Sequence, residues 1–597
     1  MDIDYTDGDE IEARILELIR QSPQRHSSQA TASHLYGESW PVRYHLCPER
    51  ANLLRPFDFS GLDVLELGAG MGAVSRYLAE NARSLHVVEG TQSRFSVLTE
   101  RLRGLTNWTG QVGNFETFET HKTFDAVCVV GVLEYSELFL KDVGPNPHLW
   151  LLKRCRSLLK PGGVLFLAIE NALGLKYWNG CAEDHRSTLF DGIVGYPDKP
   201  TARTFSRKEL QGLLTQAGFG QVDGFYPFPD YKVPTTVLSD GLLERAPKLA
   251  AELAVTEPYV DYLGHAPIKY FSDTLASDHL SRAGLLAEFS NSFLFVASTE
   301  SASPTRRRVL SRYLGENELA WHYAHGRREP TQTVFFQDRR SDSLLVAKTG
   351  LYSTAREQVF DAVGIGELHW SALGPEPISH GLSVRTLLAR HAYFGEWKPF
   401  LALMESFLRW VIRQWATSQT AHLDGRVLDG IFANARLVDG AAYDGVNAPR
   451  EFVLFDQEWS LKGSFPASWF IFRNVYNLSR EQALLANTAP FRSLRALYEL
   501  LCVKLGVVPD FKADLAREAR LQAVTSRGTL EGYQADLRNL MDRPFPAPRM
   551  PRIPKQEAAL RPRWRKLFWD IQTWKWALRK IYGAVRRRVR ALLPAPT

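Results

Sequence analysis

Residues 64–80 read VLELGAGMGAVSRYLAE, and this stretch decides the fold of the first half of the chain. It predicts a buried strand, a glycine turn and an amphipathic helix. Gly68, Gly70 and Gly72 can adopt positive φ and leave room for a nucleoside against the backbone, while the helix offers its N-terminal dipole to a carboxylate or phosphate. The spacing is G-x-G-x-G, whereas a dinucleotide site has G-x-G-x-x-G.

Two glutamates accompany the turn. Glu66 lies within the strand, and Glu89 ends a second predicted strand that begins at Leu85. A carboxylate at the end of that strand can accept hydrogen bonds from both hydroxyls of a ribose. The predicted strands are 63–67 and 84–89, which hold Glu66 and Glu89, followed by 126–130 and 163–170, and they alternate with helix-like segments. This order predicts a doubly wound α/β domain.

The motifs outward from the turn resemble those of class I S-adenosylmethionine (SAM)-dependent methyltransferases. They include Asn114 in GNFE, the stretch FDAVCVVGVLEY at 124–135, and LKPGG at 159–163. The resemblance implies a Rossmann-like fold with SAM as cofactor, and it implies that Asn114 holds the adenine. By this resemblance the cofactor-binding residues are Glu66, Gly68, Gly70, Gly72, Glu89, Asn114 and Gly131. The alternative is an NAD-binding or purely structural α/β domain.

Four further stretches, at 44–55, 168–177, 183–185 and 228–234, resemble the methyltransferase modules associated with bacterial O-antigen and surface-polysaccharide synthesis. This likeness implies a glycan or lipid-linked glycan substrate and glycosyltransferase partners. A sugar hydroxyl needs a general base, for which His185 and Asp184 are the first candidates and His45 a weaker one, whereas a phosphate oxygen needs only positioning. The alternatives are a loop held by a local salt bridge and, for the whole enzyme, an RNA methyltransferase.

A second constellation follows along the chain. Lys348 lies in the predicted strand Leu344–Thr349, Asp429 precedes Asn434 by five residues, and Asp456 follows the apolar run from Val453. This order resembles protein-kinase-like phosphotransferases. The resemblance implies that Lys348 holds the phosphates of ATP and that Asp429 accepts the substrate hydroxyl proton. It also implies that Asn434 and Asp456 bind Mg²⁺ and that Glu357 pairs with the lysine, ahead of Glu367.

Two departures weaken the kinase likeness: no glycine-rich loop precedes Lys348, and no His-Arg pair precedes Asp429. Asp424 is a rival catalytic aspartate. The domain could instead be a non-catalytic scaffold, or a helical domain whose Asp and Asn residues cap helices and turns. If both sites work, the likeness is to bifunctional enzymes that phosphorylate a glycan end and methylate the phosphate.

The predicted organisation is an α/β Rossmann-like class I methyltransferase domain, then an α+β kinase-like domain, then a basic amphipathic helix. Its boundaries are a disordered acidic N-terminus at 1–39, the methyltransferase domain at 40–298, a linker at 299–308, the kinase-like domain at 309–543, a proline-rich linker at 544–563 and the helix at 564–592.

The net charge of +6 belongs to the C-terminal end, where residues 551–597 hold 13 Lys or Arg and 2 Asp or Glu. Apolar residues from Leu567 to Leu592 keep a helical period, which predicts a helix lying on an anionic membrane surface. A helix docked on the domains and a nucleic-acid patch are the alternatives, with nucleic acid the least favoured partner.

Composition excludes several classes of protein. No apolar run approaches the roughly 18 residues that span a bilayer. The five cysteines form no CxxC pair, which argues against a disulfide framework and a zinc cluster. The acidic start lacks an export signal. We therefore expect a cytoplasmic protein that associates peripherally with the inner face of the cell membrane.

Overall fold

The computed structural model describes residues 7–21, 39–196, 200–259, 269–379, 381–417, 421–438, 449, 451–481, 490–526 and 528–545. The described residues before Pro546 form one compact unit. Most of the predicted proline-rich linker and the whole predicted helix 564–592 lie outside the described residues.

The strands are short except where they cross the core. Among the described residues they are β1 (Asp63–Leu67), β2 (Ser84–Glu89), β3 (Trp108–Val112), β4 (Phe124–Val130), β5 (Leu159–Glu170), β6 (Gln221–Phe228), β7 (Thr236–Ser239), β8 (Ser292–Ser298), β9 (Glu318–Ala324), β10 (Thr331–Gln337), β11 (Leu344–Gly350), β12 (Glu357–Ala362), β13 (Gly366–Ser371), β14 (Leu373–Pro377), β15 (His422–Asp424), β16 (Ala435–Leu437), β17 (Phe452–Leu454), β18 (Trp459–Leu461) and β19 (Ser464–Pro466).

The α-helices of the described residues vary from single turns to five turns. They are Asp9–Gln21, Trp40–Leu46, Ala73–Asn81, Gln92–Arg101, Ser136–Phe139, Pro147–Ser157, Leu175–Trp178, Arg207–Gln216, Asp240–Arg245, Pro247–Ala254, Asp273–Arg282, Leu286–Phe289, Pro304–Val309, Val384–Tyr393, Trp397–Trp415, Ala467–Asn477, Leu494–Leu505, Phe511–Thr525 and Leu530–Asp542. None of the described helices is both long and apolar enough to cross a membrane.

The first half of the chain builds the Rossmann-like part of a large central sheet. Strands β3-β2-β1-β4-β5 are neighbours in that order and run parallel, and β8 lies antiparallel between β5 and β6. β4 and β5 are buried over most of their length, which explains their nearly continuous apolar sequences. The four strand predictions and the α/β fold class are confirmed.

The sheet does not stop where the second predicted domain begins. Strands β7, β9, β10, β11 and β14 extend it antiparallel to a total of twelve strands. The expectation of a linker at 299–308 is wrong because Pro304–Val309 is helical and Arg306 is buried. The Arg306 guanidinium pairs with Asp223 of β6 at 2.6 Å, so this segment is packed against the sheet.

Residues beyond 360 have their own core. Helix Trp397–Trp415 buries Phe400, Met404 and Phe407, and helix Ala467–Asn477 is buried along most of its length. Both helices pack in a single apolar cluster with the small sheet β12-β13-β18. This part mixes helices with short strands, and its assignment as a kinase-like domain stays a prediction.

The expectation of a disordered N-terminus is wrong for the described residues 7–21. Ile15 and Ile19 lie on one face of helix Asp9–Gln21 and are buried against Met71 and Val97. The Arg94 guanidinium forms ion pairs with two residues of this segment, Asp7 at 2.6 Å and Glu12 at 3.3 Å. An amphipathic helix with two buried anchors and an ion-pair network remains packed despite its acidic sequence.

Candidate functional site

The glycine turn after β1 opens onto a cavity. Gly70 has φ +55, and a Cβ built on it would meet nothing within 4 Å, so the backbone there faces open space. Gly72 has φ +78 and caps helix Ala73–Asn81. A Cβ at Gly72 would approach Leu98 at 3.1 Å, and Gly72 does not line the cavity. Its conformation shapes the turn, and the expected contact with a cofactor is not supported.

The cavity gathers the other residues predicted to bind a cofactor. It lies at the carboxyl ends of β1, β2 and β4, where parallel strands of a doubly wound sheet place their ligands. The predicted residues that line it are Glu66, Gly68, Gly70, Glu89, Asn114 and Gly131.

Glu89 is held against the turn. Its Oε2 accepts a hydrogen bond from the Gly70 amide at 2.8 Å, and its Oε1 accepts one from the Thr91 amide at 3.0 Å. The side chain is only 5% exposed. The carboxylate is therefore positioned at the end of β2 before any ligand binds.

Three buried polar atoms of cavity-lining residues have no hydrogen-bond partner among the described residues: the acceptors Glu66 Oε2 and Asn114 Oδ1, and the donor Arg50 Nε. Burial raises the pKa of Glu66 to about 8. An orphaned buried acceptor is costly unless a ligand supplies a donor. The ammonium, ribose hydroxyls and adenine amine of SAM offer such donors, so the residues present fit this cofactor.

One wall of the cavity holds two residues that the sequence did not predict, Asp7 and Arg94, and the weaker candidate base, His45. Asp7, His45 and Arg94 line it, and His45 Nε2 lies 3.0 Å from Asp7 Oδ2. Burial lowers the pKa of His45 to about 4 although Asp7 opposes this shift. His45 lies in the stretch 44–55 that resembles glycan methyltransferases, so the sequence held a signal for its role in the site. The sequence held no such signal for Asp7, because its position depends on where the N-terminal helix packs.

A second group of polar residues lies beside the cavity. We call Glu134, Glu170 and His185 the Glu134 cluster. His185 Nε2 lies 3.8 Å from Glu134 Oε1 and 3.7 Å from Glu170 Oε1. The ring of His185 meets the edge of Tyr135, a cavity residue, with centroids 5.3 Å apart. The cluster is therefore one side chain away from the cavity.

The predicted general bases do not have the required protonation behaviour. Asp184 pairs with Lys176 at 2.8 Å and also contacts Lys232, and these lysines outweigh burial and hold its pKa well below the usual range. Burial alone would lower the pKa of His185, but Glu170, Glu183 and Glu134 raise it to about 9. An ion-paired carboxylate and an imidazolium are poor bases at neutral pH, so neither role is supported.

The comparison with protein-family models matches the region around the glycine turn. Residues 65–165 match the family model described as a methyltransferase domain. These residues run from β1 through β5 and include the turn, Glu89, Asn114 and Gly131. The chain thus carries a SAM-dependent methyltransferase domain of α/β Rossmann-like fold, and SAM is its cofactor. No curated protein matches the chain.

Several solved methyltransferase structures are similar at low identity. The CurJ carbon methyltransferase is 17% identical over 41% of this chain and 50% of that chain, with a TM-score of 0.23. A possible histamine N-methyltransferase from Thermotoga maritima is 14% identical over 42% and 88%, with a TM-score of 0.25. NodS from Bradyrhizobium japonicum, in complex with S-adenosyl-L-homocysteine, is 18% identical over 28% and 78%, with a TM-score of 0.20. This chain thus spans half the length of the first of these structures, the CurJ carbon methyltransferase. These likenesses do not identify a substrate.

The second predicted constellation does converge in space. Lys348 Nζ contacts Asp456 Oδ1, and Asn434 Nδ2 donates to the backbone carbonyls of Asp429 at 3.1 Å and Asp456 at 3.3 Å. Asp456 has φ +55, in the left-handed region. Residues up to 108 positions apart along the chain therefore lie in one place. We call Lys348, Asn434 and Asp456 the lysine site.

Asp429 does not have the environment of a catalytic base. Its Oδ1 accepts from Arg473 Nη2 at 2.8 Å, and its Oδ2 accepts from the Trp459 amide at 2.9 Å. The residue is 5% exposed, and burial raises its pKa against the opposing effect of Arg473. The carboxylate is buried and ion-paired with Arg473, so the expected transfer of a substrate proton to Asp429 is not supported.

The predicted partner of Lys348 is wrong. Glu357 is exposed on β12, and Glu367 pairs instead with Lys462 at 3.2 Å. The second carboxylate on Lys348 belongs to Glu458, whose Oε2 lies 3.3 Å from Nζ. Glu458 stands only two residues after Asp456, so its closeness in the sequence to a predicted site residue was the available signal. Burial alone would raise its pKa, but Lys348 and Arg327 lower it to about 2.

Proposed function

We propose that the chain is a SAM-dependent methyltransferase whose acceptor is a bacterial surface-glycan intermediate. The observation that carries the proposal is a cavity whose glycine turn, Glu89 and Glu66 fit SAM, bordered by buried polar groups where an acceptor can be oriented. The other stretches behind the glycan likeness also contact one another. Arg50 donates to the Lys232 carbonyl and Asn52 to the Pro234 carbonyl, both at 2.8 Å.

The charges favour a sugar hydroxyl over a terminal phosphate as the methylated group. Around the Glu134 cluster lie five carboxyl groups, those of Glu134, Glu170, Glu183, Asp184 and Asp230, and three cations, Lys176, Lys232 and the His185 imidazolium. Burial and Glu170 raise the pKa of Glu134 to about 8, so four ionised carboxylates face three cations at neutral pH. A net negative neighbourhood repels an anionic phosphate and tolerates a neutral hydroxyl. The acceptor is therefore proposed to be a hydroxyl.

The residues of the chain contribute mainly by positioning. SAM, when bound, supplies an electrophilic methyl group on a sulfonium. Glu89 and the Gly70 backbone would hold the nucleoside, and Glu66 would accept from the ammonium. Displacement at a methyl group requires alignment and exclusion of water, which binding in a preformed cavity supplies. The proton of the acceptor hydroxyl would pass to His45, whose neutral imidazole lines the cavity and is supported by Asp7.

The test is transfer of radiolabelled methyl groups from SAM by the purified full-length chain. Acceptors are a lipid-linked O-antigen-type oligosaccharide, the same oligosaccharide after phosphatase treatment, and total RNA. We expect labelling of both glycans and none of the RNA. Labelling that phosphatase treatment removes would shift the acceptor to a phosphate. Labelling of RNA alone, or intact SAM binding with no labelled glycan, would contradict the glycan proposal.

We also propose that the lysine site binds a nucleotide with Mg²⁺ without transferring phosphate. The convergence of Lys348, Asn434 and Asp456 supports binding. The burial of Asp429 and its ion pair with Arg473 disfavour proton transfer from a substrate. The basic segment 564–592, outside the described residues, is proposed to hold the enzyme on the anionic cytoplasmic membrane surface, where lipid-linked glycans and glycosyltransferases lie.

Replacing Asp456 by asparagine is expected to weaken binding of Mg-ATP by roughly tenfold or more, because one charged ligand of the metal is lost. Isothermal titration calorimetry of the full chain measures this. Asp424→Asn is the matched control, since Asp424 is paired with Arg426 outside the lysine site. ATP-dependent phosphorylation of a glycan that Asp456→Asn abolishes would replace our proposal with phosphotransfer. If no nucleotide binds, the proposal for the lysine site is contradicted and the predicted kinase-like domain would be a non-catalytic scaffold.

A further inference from the structure

We propose that Glu134, Glu170 and His185 form a divalent-cation site beside the methyltransferase cavity. The residues come from three segments: the turn after β4, the end of β5 and the loop that follows helix Leu175–Trp178. One ligand atom of each lies within 4.8 Å of the other two. Ligand atoms about 2.1 Å from a common cation lie up to about 4.2 Å apart, so the separations of 3.7 and 3.8 Å from His185 Nε2 suit a shared ion.

His185 is oriented as a metal ligand. Its Nδ1 lies 3.0 Å from Glu183 Oε1, and Glu183 is itself fixed by the amides of His185 and Arg186 at 2.8 Å. When Nδ1–H donates to Glu183, the lone pair of Nε2 points away from that carboxylate, and Nε2 is the nitrogen nearest Glu134 and Glu170. A carboxylate behind a ligating histidine is the usual support of a protein metal site.

The two glutamates have unused ligand capacity. Glu134 is 1% exposed and Glu170 is fully buried, yet Oε2 of each accepts no hydrogen bond from any described residue. Neither carboxylate lies within hydrogen-bond distance of His185 Nε2. Buried carboxylate oxygens are costly unless they are paired or coordinate a metal. Lys232 already pairs with Glu170 Oε1, whereas the Oε2 atoms of both glutamates remain without a partner among the described residues, and they point to a bound cation in addition to the cations of the chain.

The charges around the Glu134 cluster also favour a bound cation. Of the two lysines, Lys176 pairs with Asp184 and Asp230, and Lys232 contacts Asp184 and Glu170. Glu134 contacts neither lysine in these pairs. A divalent ion bound to the neutral imidazole would replace the proton on Nε2 and offset more of the negative charge. Two carboxylates and one imidazole suit a first-row ion such as Mn²⁺ better than Mg²⁺.

The position of the cluster gives the ion a role. Tyr135 lies between His185 and the cavity. Gly131 lines the cavity, and a Cβ built on it would lie 2.6 Å from the Tyr231 hydroxyl. That hydroxyl donates a hydrogen bond to Glu170. An ion here would act through Tyr135, by fixing the wall between the cluster and the cavity against which the acceptor is oriented. This use of the ion rests on the proposed function, whereas the existence of the site does not.

Mn²⁺ binding to the full chain, followed by electron paramagnetic resonance, tests the site without an activity assay. The Asp456→Asn background removes the competing lysine site. In that background we expect one bound Mn²⁺ per chain with ¹⁴N modulation in pulsed spectra from a coordinated imidazole. His185→Gln should lose the modulation, and Glu134→Gln should weaken Mn²⁺ binding roughly tenfold or more. Glu209→Gln, an exposed helix-capping glutamate, is the control and should change neither.

Retained SAM binding and an unchanged melting temperature show that each variant is folded. Mn²⁺ binding that His185→Gln and Glu134→Gln leave unchanged would overturn the proposal, as would the absence of ¹⁴N modulation in the Asp456→Asn background. No Mn²⁺ binding at millimolar concentration would also overturn it and would leave a protonated His185 as the cation of the cluster. Because none of these readouts needs methyl transfer, a wrong acceptor assignment cannot produce the same result.

Discussion

Glu89→Ala is expected to weaken SAM binding by roughly 100-fold or more and to reduce methyl transfer in proportion. The carboxylate is buried, is fixed by the Gly70 and Thr91 amides, and lies where two ribose hydroxyls would donate to it. Loss of hydrogen bonds to a charged group costs about 1.5–3 kcal/mol each, and about 2.7 kcal/mol is a hundredfold change in affinity. Calorimetric titration with SAM measures the effect.

The matched control is Glu119→Ala, an exposed glutamate outside the cavity, which should bind SAM with unchanged affinity. Glu89→Gln keeps acceptor capacity on one oxygen and should fall between the wild type and Glu89→Ala. A folded Glu89→Ala variant with wild-type affinity for SAM would show that the cofactor lies elsewhere and would contradict the assignment of the cavity.

Arg473→Met is expected to destabilise the protein by about 3–5 kcal/mol, because it leaves two buried carboxylates without their counter-ion. Arg473 donates to Asp429 at 2.8 Å and to Glu518 at 2.9 Å, and all three residues are buried. Urea unfolding followed by tryptophan fluorescence measures the change. Trp469 reports directly on the network, since its indole N–H donates to Glu518 at 3.0 Å.

The triple variant Arg473→Met, Asp429→Asn, Glu518→Gln should recover most of the lost stability, because no unpaired charge remains. Arg495→Met is the control. Arg495 is 43% exposed and pairs with Glu499 and Asp542, so its loss should cost less than about 1 kcal/mol. If Arg473→Met is no less stable than Arg495→Met, Asp429 is not held by this network and a catalytic role for it reopens.

Local patterns predicted the parts of the site that lie close together in the sequence. A glycine turn between an apolar strand and a helix admits few conformations, so residues 64–80 were sufficient to place Gly70 and Glu66 at a cavity. The kinase likeness likewise brought Lys348, Asn434 and Asp456 to one place, since each follows a recognisable apolar strand or spacing.

Partners of buried charges were the main failure. Lys348 takes Glu458 and not Glu357, Asp184 is neutralised by two lysines, and Asp429 is held by Arg473. A buried charge pairs with whichever opposite charge the packed chain brings near. Arg473 is 44 positions from Asp429 along the chain, and Glu458 is 110 positions from Lys348. Sequence spacing contains little information about such distant contacts.

The sequence by itself determined the α/β class, four strands of the first half and the cofactor turn, because hydrophobic periodicity and glycine stereochemistry act over a few residues. Only the tertiary structure decided that β9, β10, β11 and β14 extend the same sheet, that residues 299–308 pack against it, and that Asp7 closes the cavity. It also decided that Glu134, Glu170 and His185 meet. These outcomes depend on which surfaces meet when distant segments pack, and local propensity does not encode that choice.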